Sequence, residues 1–193
     1  MFRTLPLALL LALAATPALA HLDPAEHGSF MAGLSHPLLG LDHVLAMVGV
    51  GLWGAVLGGR ARWALPSCFV ASMIGGFGLA LMGVALPLVE PMVLGSVLAL
   101  GLAVGLMVRV PLGIAGVLAG LFGMMHGHAH GGELGSAGAL AFGLGFVAST
   151  AVLHAVGLFV AWGYSMGMRR HGALVRGMGW ATALGGVWIA MGR

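Results

Sequence analysis

Apolar runs of membrane-spanning length, separated by short polar breaks, recur at roughly 37–58, 64–87, 91–108, 111–128, 137–164 and 174–191. An α-helix rises 1.5 Å per residue, so about 20 apolar residues cross the ~30 Å hydrocarbon core of a bilayer. The pattern predicts an all-α polytopic membrane protein whose six transmembrane helices pack into one compact bundle. Residues 1–20 read as a cleavable signal peptide ahead of that bundle. Arg3 supplies a positive start, residues 5–15 an apolar stretch too short to span comfortably, Pro17 a break, and Ala18-Leu19-Ala20 the small-residue cleavage pattern. An uncleaved first helix is the rival reading. Cleavage leaves His21 as the mature amino terminus and assigns residues 21–193 to the transmembrane domain.

The breaks alternate in charge. Arg60 and Arg62 fall in the first, Glu90 in the second, Arg109 in the third, residues 128–133 in the fourth, and Arg169, Arg170 and Arg176 in the fifth. Short arginine-bearing loops stay in the cytoplasm, so the odd-numbered connections are expected inside and the amino terminus outside. An export signal demands the same orientation, which predicts a multi-pass protein of the bacterial inner membrane with a periplasmic amino terminus.

Composition sharpens the contrast between chain and chemistry. Hydrophobic residues make up 60% and charged residues 7%, against about 25% charged in soluble domains, and the mean hydropathy is +1.08. No separate soluble domain fits. The chain has no lysine, and its arginines lie singly or in pairs, so nucleic acid is not an expected partner. The single cysteine, Cys68, excludes an internal disulfide. Thirty-five glycines favour close helix approach, as at Gly101 with Gly105 and Gly116 with Gly120. Gly40, Gly127, Gly131 and Gly132 sit within or beside polar runs, where a helix break would offer bare carbonyls to an ion.

Two polar runs carry the candidate chemistry. In the first, Pro37 suits the opening turn of a helix and pushes His36 out of helical conformation, so His36 is expected to flank a helix start. His36 and His43, seven apart, share a stripe but lie about 10 Å apart along an ideal helix, and meet at one ion only if the opening turn unwinds or the side chains lean together. Asp42 either donates an oxygen or fixes the tautomer of a neighbouring imidazole. In the second run, His126, His130 and Glu133 would align on one face of a continuous helix, while His128 points elsewhere. Gly131-Gly132 predicts a helix ending near 130, with Glu133 reaching back from a loop. Ionisable groups inside a membrane are costly and mark ion paths by default. His154, alone deep in the fifth run, is therefore a further candidate, with a hydrogen bond to Ser149 or Thr150 as the plain alternative. His21, with Asp23, Glu26 and His27 nearby, is a weaker candidate for gathering ions.

The string His36-Pro37-x-x-Gly40-x-Asp42-His43-x-x-x-Met47, followed by His126-Gly127-x-Ala129-His130-x-x-Glu133 and preceded by a leader, resembles the HupE/UreJ family of bacterial nickel or cobalt permeases associated with hydrogenase and urease maturation. The likeness covers essentially the whole mature chain. It implies a metal role for His36, Asp42, His43, His126, His130 and Glu133; His128, His154 and His21 are added from the residues themselves. A larger nickel/cobalt transporter family is also similar, but its motif has four residues between His and Asp-His where this chain has five, so its site geometry is not carried over.

Imidazole-rich ligands suit Ni²⁺, Co²⁺, Zn²⁺ and Cu²⁺, whereas Ca²⁺ and Mg²⁺ prefer oxygen. The expected function is a secondary transporter importing Ni²⁺ or Co²⁺, with Zn²⁺ able to occupy the same ligands and no resident cofactor. Binding needs unprotonated ligands, so uptake is expected to fall as pH drops through the histidine range near about 6.5. The expected partners are the ion, the lipid bilayer and, in a homo-oligomer, further copies of the chain. Two alternatives come from other classes: a membrane-embedded zinc hydrolase, and a haem carrier with His43 and His154 as axial ligands.

Overall fold

A computed structural model describes residues 29–134, 138–165 and 169–192. The expected leader and His21 lie outside the described residues, among which no strand occurs. The helices are α1 (Phe30–Leu39), α2 (Leu41–Leu57), α3 (Ala61–Leu81), α4 (Val89–Gly105), α5 (Leu112–Leu134), α6 (Ala139–Val160), the single turn α7 (Trp162–Ser165) and α8 (Arg169–Gly192).

Among the described residues three helices are long and apolar enough to cross a membrane: Ala61–Leu81, Leu112–Gly132 and Ala139–Val160. A fourth crossing results if α1 and α2, bent by 86° about Gly40, count as one broken span. The shorter α4 has 17 residues, and α8 opens on Arg169 and Arg170. The bend replaces the continuous helix expected over 37–58. Ser29 caps α1 by accepting the Ala32 N–H at 2.9 Å. His36 and Pro37 both lie inside α1, not ahead of a helix start. Proline can donate no N–H to the helical ladder, and α1 stops three residues later, where Gly40 turns extended at φ −95°, ψ 112°. Gly127, Gly131 and Gly132, by contrast, break nothing: α5 continues through them to Leu134.

Glycine decides how closely the helices approach. A Cβ on Gly127 would overlap the carbonyl of Met73, so α5 lies backbone to backbone on α3. Gly51 and Gly157 play the same part between α2 and α6. Around this frame large apolar side chains cover the outside, and polar ones join the apolar core within. Leu140, Trp63, Val117 and Trp188 stand 70–78% exposed on the outside, while Asp42, His43, His126, His130 and His154 are buried among the helices. Water would make that arrangement unfavourable and lipid makes it favourable, since only the interior of the bundle shields polar side chains from hydrocarbon.

Candidate metal centre

The bend at Gly40 places the two ends of the first histidine run beside each other. His36 projects from the last turn of α1 and His43 from the first turn of α2, so the separation of about 10 Å imposed by a straight helix no longer applies. Their ring centroids stand 6.5 Å apart. His130, from α5, fills the gap: its ring centroid lies 4.5 Å from that of His36 and 4.5 Å from that of His43. Three imidazoles from three helices therefore converge, roofed by Phe142 and Phe146 of α6, whose rings stand 5.5 Å from His36 and 5.0 Å from His130, respectively.

The hydrogen bonds run in one direction. The Asp42 carboxylate accepts the backbone N–H of His43 at 3.0 Å and its Nδ1–H at 2.8 Å. With Nδ1 so engaged, neutral His43 has its lone pair on Nε2, and Nε2 faces Nε2 of His130 in a close contact. His130 then donates from Nε2 and accepts on Nδ1, which is 3.0 Å from Nε2 of His36. A single tautomer assignment satisfies the whole chain from Asp42 through His43 and His130 to His36. A carboxylate bonded to the far nitrogen of an imidazole is the standard arrangement for orienting a metal-ligating histidine. Among the described residues no three of these groups already stand in chelating geometry; the imidazoles use their nitrogens on one another, and an ion would enter by replacing those contacts.

His126 lies one turn deeper on α5, its ring 4.9 Å from that of His43. The Ser96 hydroxyl gives its proton to the Val93 carbonyl at 2.6 Å, so Ser96 Oγ accepts from His126 Nε2–H at 3.0 Å. The lone pair of His126 thus falls on Nδ1, which is buried and has no partner. Ser96 was not among the sequence candidates, although a lone hydroxyl inside an apolar run was the available signal. His128 turns away from the cluster, and its Nε2 donates to the Val84 carbonyl at 2.7 Å, tying α5 to the loop after α3. Glu133 lies in the last turn of α5, so its backbone is helical where a loop was expected; its side chain is outside the described set. His154, on α6, is 1% exposed. The alternative of a bond to Ser149 or Thr150 is not realised: Thr150 Oγ1 instead donates to Met73 Sδ at 3.6 Å, and both ring nitrogens of His154 are without hydrogen-bond partners among the described residues.

The family model described as HupE / UreJ protein matches residues 9–189 of the chain. The chain is also 42% identical over 185 residues to Protein HupE of Rhizobium leguminosarum bv. viciae, a match covering 94% of this chain and 95% of the relative. No solved structure gives a significant match.

Proposed function

The chain belongs to the HupE/UreJ family, and from that premise we propose that it is a secondary transporter of the bacterial inner membrane that imports Ni²⁺, or Co²⁺, for the maturation of metalloenzymes such as hydrogenase or urease. The observation that carries this reading is the convergence of His36, His43 and His130, from three different helices, on a buried cluster anchored by Asp42. Borderline divalent ions prefer imidazole nitrogen over the oxygen cages that hold Ca²⁺ and Mg²⁺.

The ion loses water stepwise as imidazoles replace it. Asp42 serves twice: it holds His43 in the tautomer that presents Nε2, and its negative charge offsets the dication in a setting where solvent cannot. His126 Nδ1 lies next along α5. Ligands of this kind are neutral and exchangeable, and transport requires release as much as capture. Glu133 belongs to the same ligand set by family likeness.

The six-span topology, with the histidine cluster on the periplasmic side and Arg60, Arg62 and Arg109 inside, is part of the same proposal. Its support is the charge alternation of the loops. The test is ⁶³Ni²⁺ uptake into proteoliposomes holding the full chain, with Co²⁺ and Zn²⁺ as competitors and His43→Ala as control. Saturable uptake that Co²⁺ competes for and His43→Ala abolishes is the expected result. Uptake indistinguishable between His43→Ala and the parent chain overturns the reading.

A further inference from the structure

His154 is a buried imidazole with no hydrogen-bond partner among the described residues. Both nitrogens lack a partner, and its polar neighbour one turn earlier, Thr150, is already bonded to Met73. A neutral imidazole carries one donor and one acceptor, and leaving both unmet away from water is unfavourable. Its nearest described ring is Phe69 of α3, edge-on at 5.1 Å between centroids. The same Phe69 ring lies 5.4 Å from His126, whose Nδ1 is the other buried imidazole nitrogen without a partner among the described residues. One aromatic ring therefore abuts the two imidazoles that have lone pairs to give, and His126 in turn contacts His43 of the outer cluster at 4.9 Å.

We propose that His154 is a second, inner station for a divalent transition-metal ion, loaded from the outer cluster through His126 beside the Phe69 ring. The inference rests on the transport reading above and adds to it a separate binding site. Buried imidazoles follow one another in contact: His43 with His130, then His126, then His154 by way of the Phe69 ring that both touch. Conduction through a protein requires sites that bind well enough to attract the ion and in sufficient number to release it. A lone outer cluster meets the first condition, and an inner imidazole supplies the next stop. Phe69 abuts both imidazoles without offering a ligand.

The test is the number of Co²⁺ ions bound per purified full-length chain, from equilibrium dialysis and elemental analysis, with visible ligand-field spectra recorded in parallel. The parent chain should bind two ions. His154→Leu should bind one, retain the spectrum of the outer site, and lower ⁶³Ni²⁺ uptake by roughly 10-fold or more. His154→Cys, which restores a metal-binding side chain, should bind two again with an altered spectrum. Thermal unfolding of each variant separates site loss from fold loss, and His154→Leu is expected to melt no lower than the parent. Two ions and parental uptake in His154→Leu overturn the inner station and leave the outer cluster intact. One ion in the parent, kept by His154→Leu and lost by His43→Ala, overturns it equally. No ion in the parent chain overturns both the inner station and the transport reading.

Discussion

Asp42 is the residue on which the outer cluster depends. Its Oδ1 atom receives two hydrogen bonds from His43, and every tautomer further along the imidazole chain follows from that one choice. Asp42→Asn keeps the shape but can offer an N–H where an acceptor is needed, and it deletes the charge that the proposed transport reading assigns to balancing the ion. Losing an orienting partner of this kind costs about 10- to 100-fold in metal affinity or activity. Asp42→Asn is therefore expected to depress ⁶³Ni²⁺ uptake by at least that range while the protein remains folded by circular dichroism. His128 makes the opposite case. It donates to the Val84 carbonyl and takes no part in the imidazole chain, so His128→Ala should leave uptake within about twofold of the parent and lower stability by about 0.5–1.5 kcal/mol, the usual net worth of one hydrogen bond. Thermal unfolding in detergent measures the second quantity; a collapse of uptake in a folded His128→Ala would return this residue to the ion path.

At the scale of the element, Gly40 determines whether the site exists. A Cβ there would sit 2.9 Å from Asp42 Oδ1 and 2.9 Å from His43 Nδ1, the two atoms that share the anchoring hydrogen bond. Gly40→Ala is expected to cut uptake at least tenfold, comparable to losing an orienting partner, with little loss of helix content. An uptake unchanged in Gly40→Ala would mean that the Asp42–His43 geometry is not what positions the ion. This element also shows where sequence reasoning stops. The members of the cluster were legible, because histidines and acids stand out in an apolar chain, and so was the need for His36 and His43 to be brought together. Gly40 was flagged as a candidate break, but that Pro37 lies inside a helix was not legible: proline tolerates a first turn, and it is with α1 packed against α6 that seven helical residues, Phe30 to His36, precede it. The length of α5 was misread for a similar reason. Gly131-Gly132 resembles a helix stop, but Gly131 faces the Phe77 carbonyl of α3 so closely that a side chain would not fit; glycine serves helix approach at that position, and the helix runs on to Leu134. His154 was visible as an isolated polar residue, whereas Phe69 and Ser96 were not, since their roles come from contacts across helices that no spacing along the chain encodes.

At the scale of the whole molecule, the bundle is held by backbone proximity around an apolar core that includes Met47, Leu65, Phe69 and Phe146 and encloses the buried histidines, with further large apolar side chains turned outward. Hydrophobic burial does little to bring helices together in lipid; close packing through small residues does much of that work. Gly127 is the sharpest instance, because it sits in the histidine run yet faces the Met73 carbonyl of α3. Gly127→Val would force α5 off α3, and overpacking of this kind typically costs about 1–3 kcal/mol, occasionally more. Both consequences should appear together. The variant should unfold at lower temperature, and because His126 and His130 flank the substituted position on the same helix, displacement of α5 should also separate His130 from His43 and His126 from Ser96. Metal-dependent stabilisation provides the check: a ligand that binds only the folded state raises its stability by an amount set by concentration over Kd. Ni²⁺ at concentrations that raise the parent's melting temperature should raise that of Gly127→Val much less. An equal shift in both would show that the cluster assembles independently of the α3–α5 contact, and that the helix frame and the ion site are separable parts of the protein.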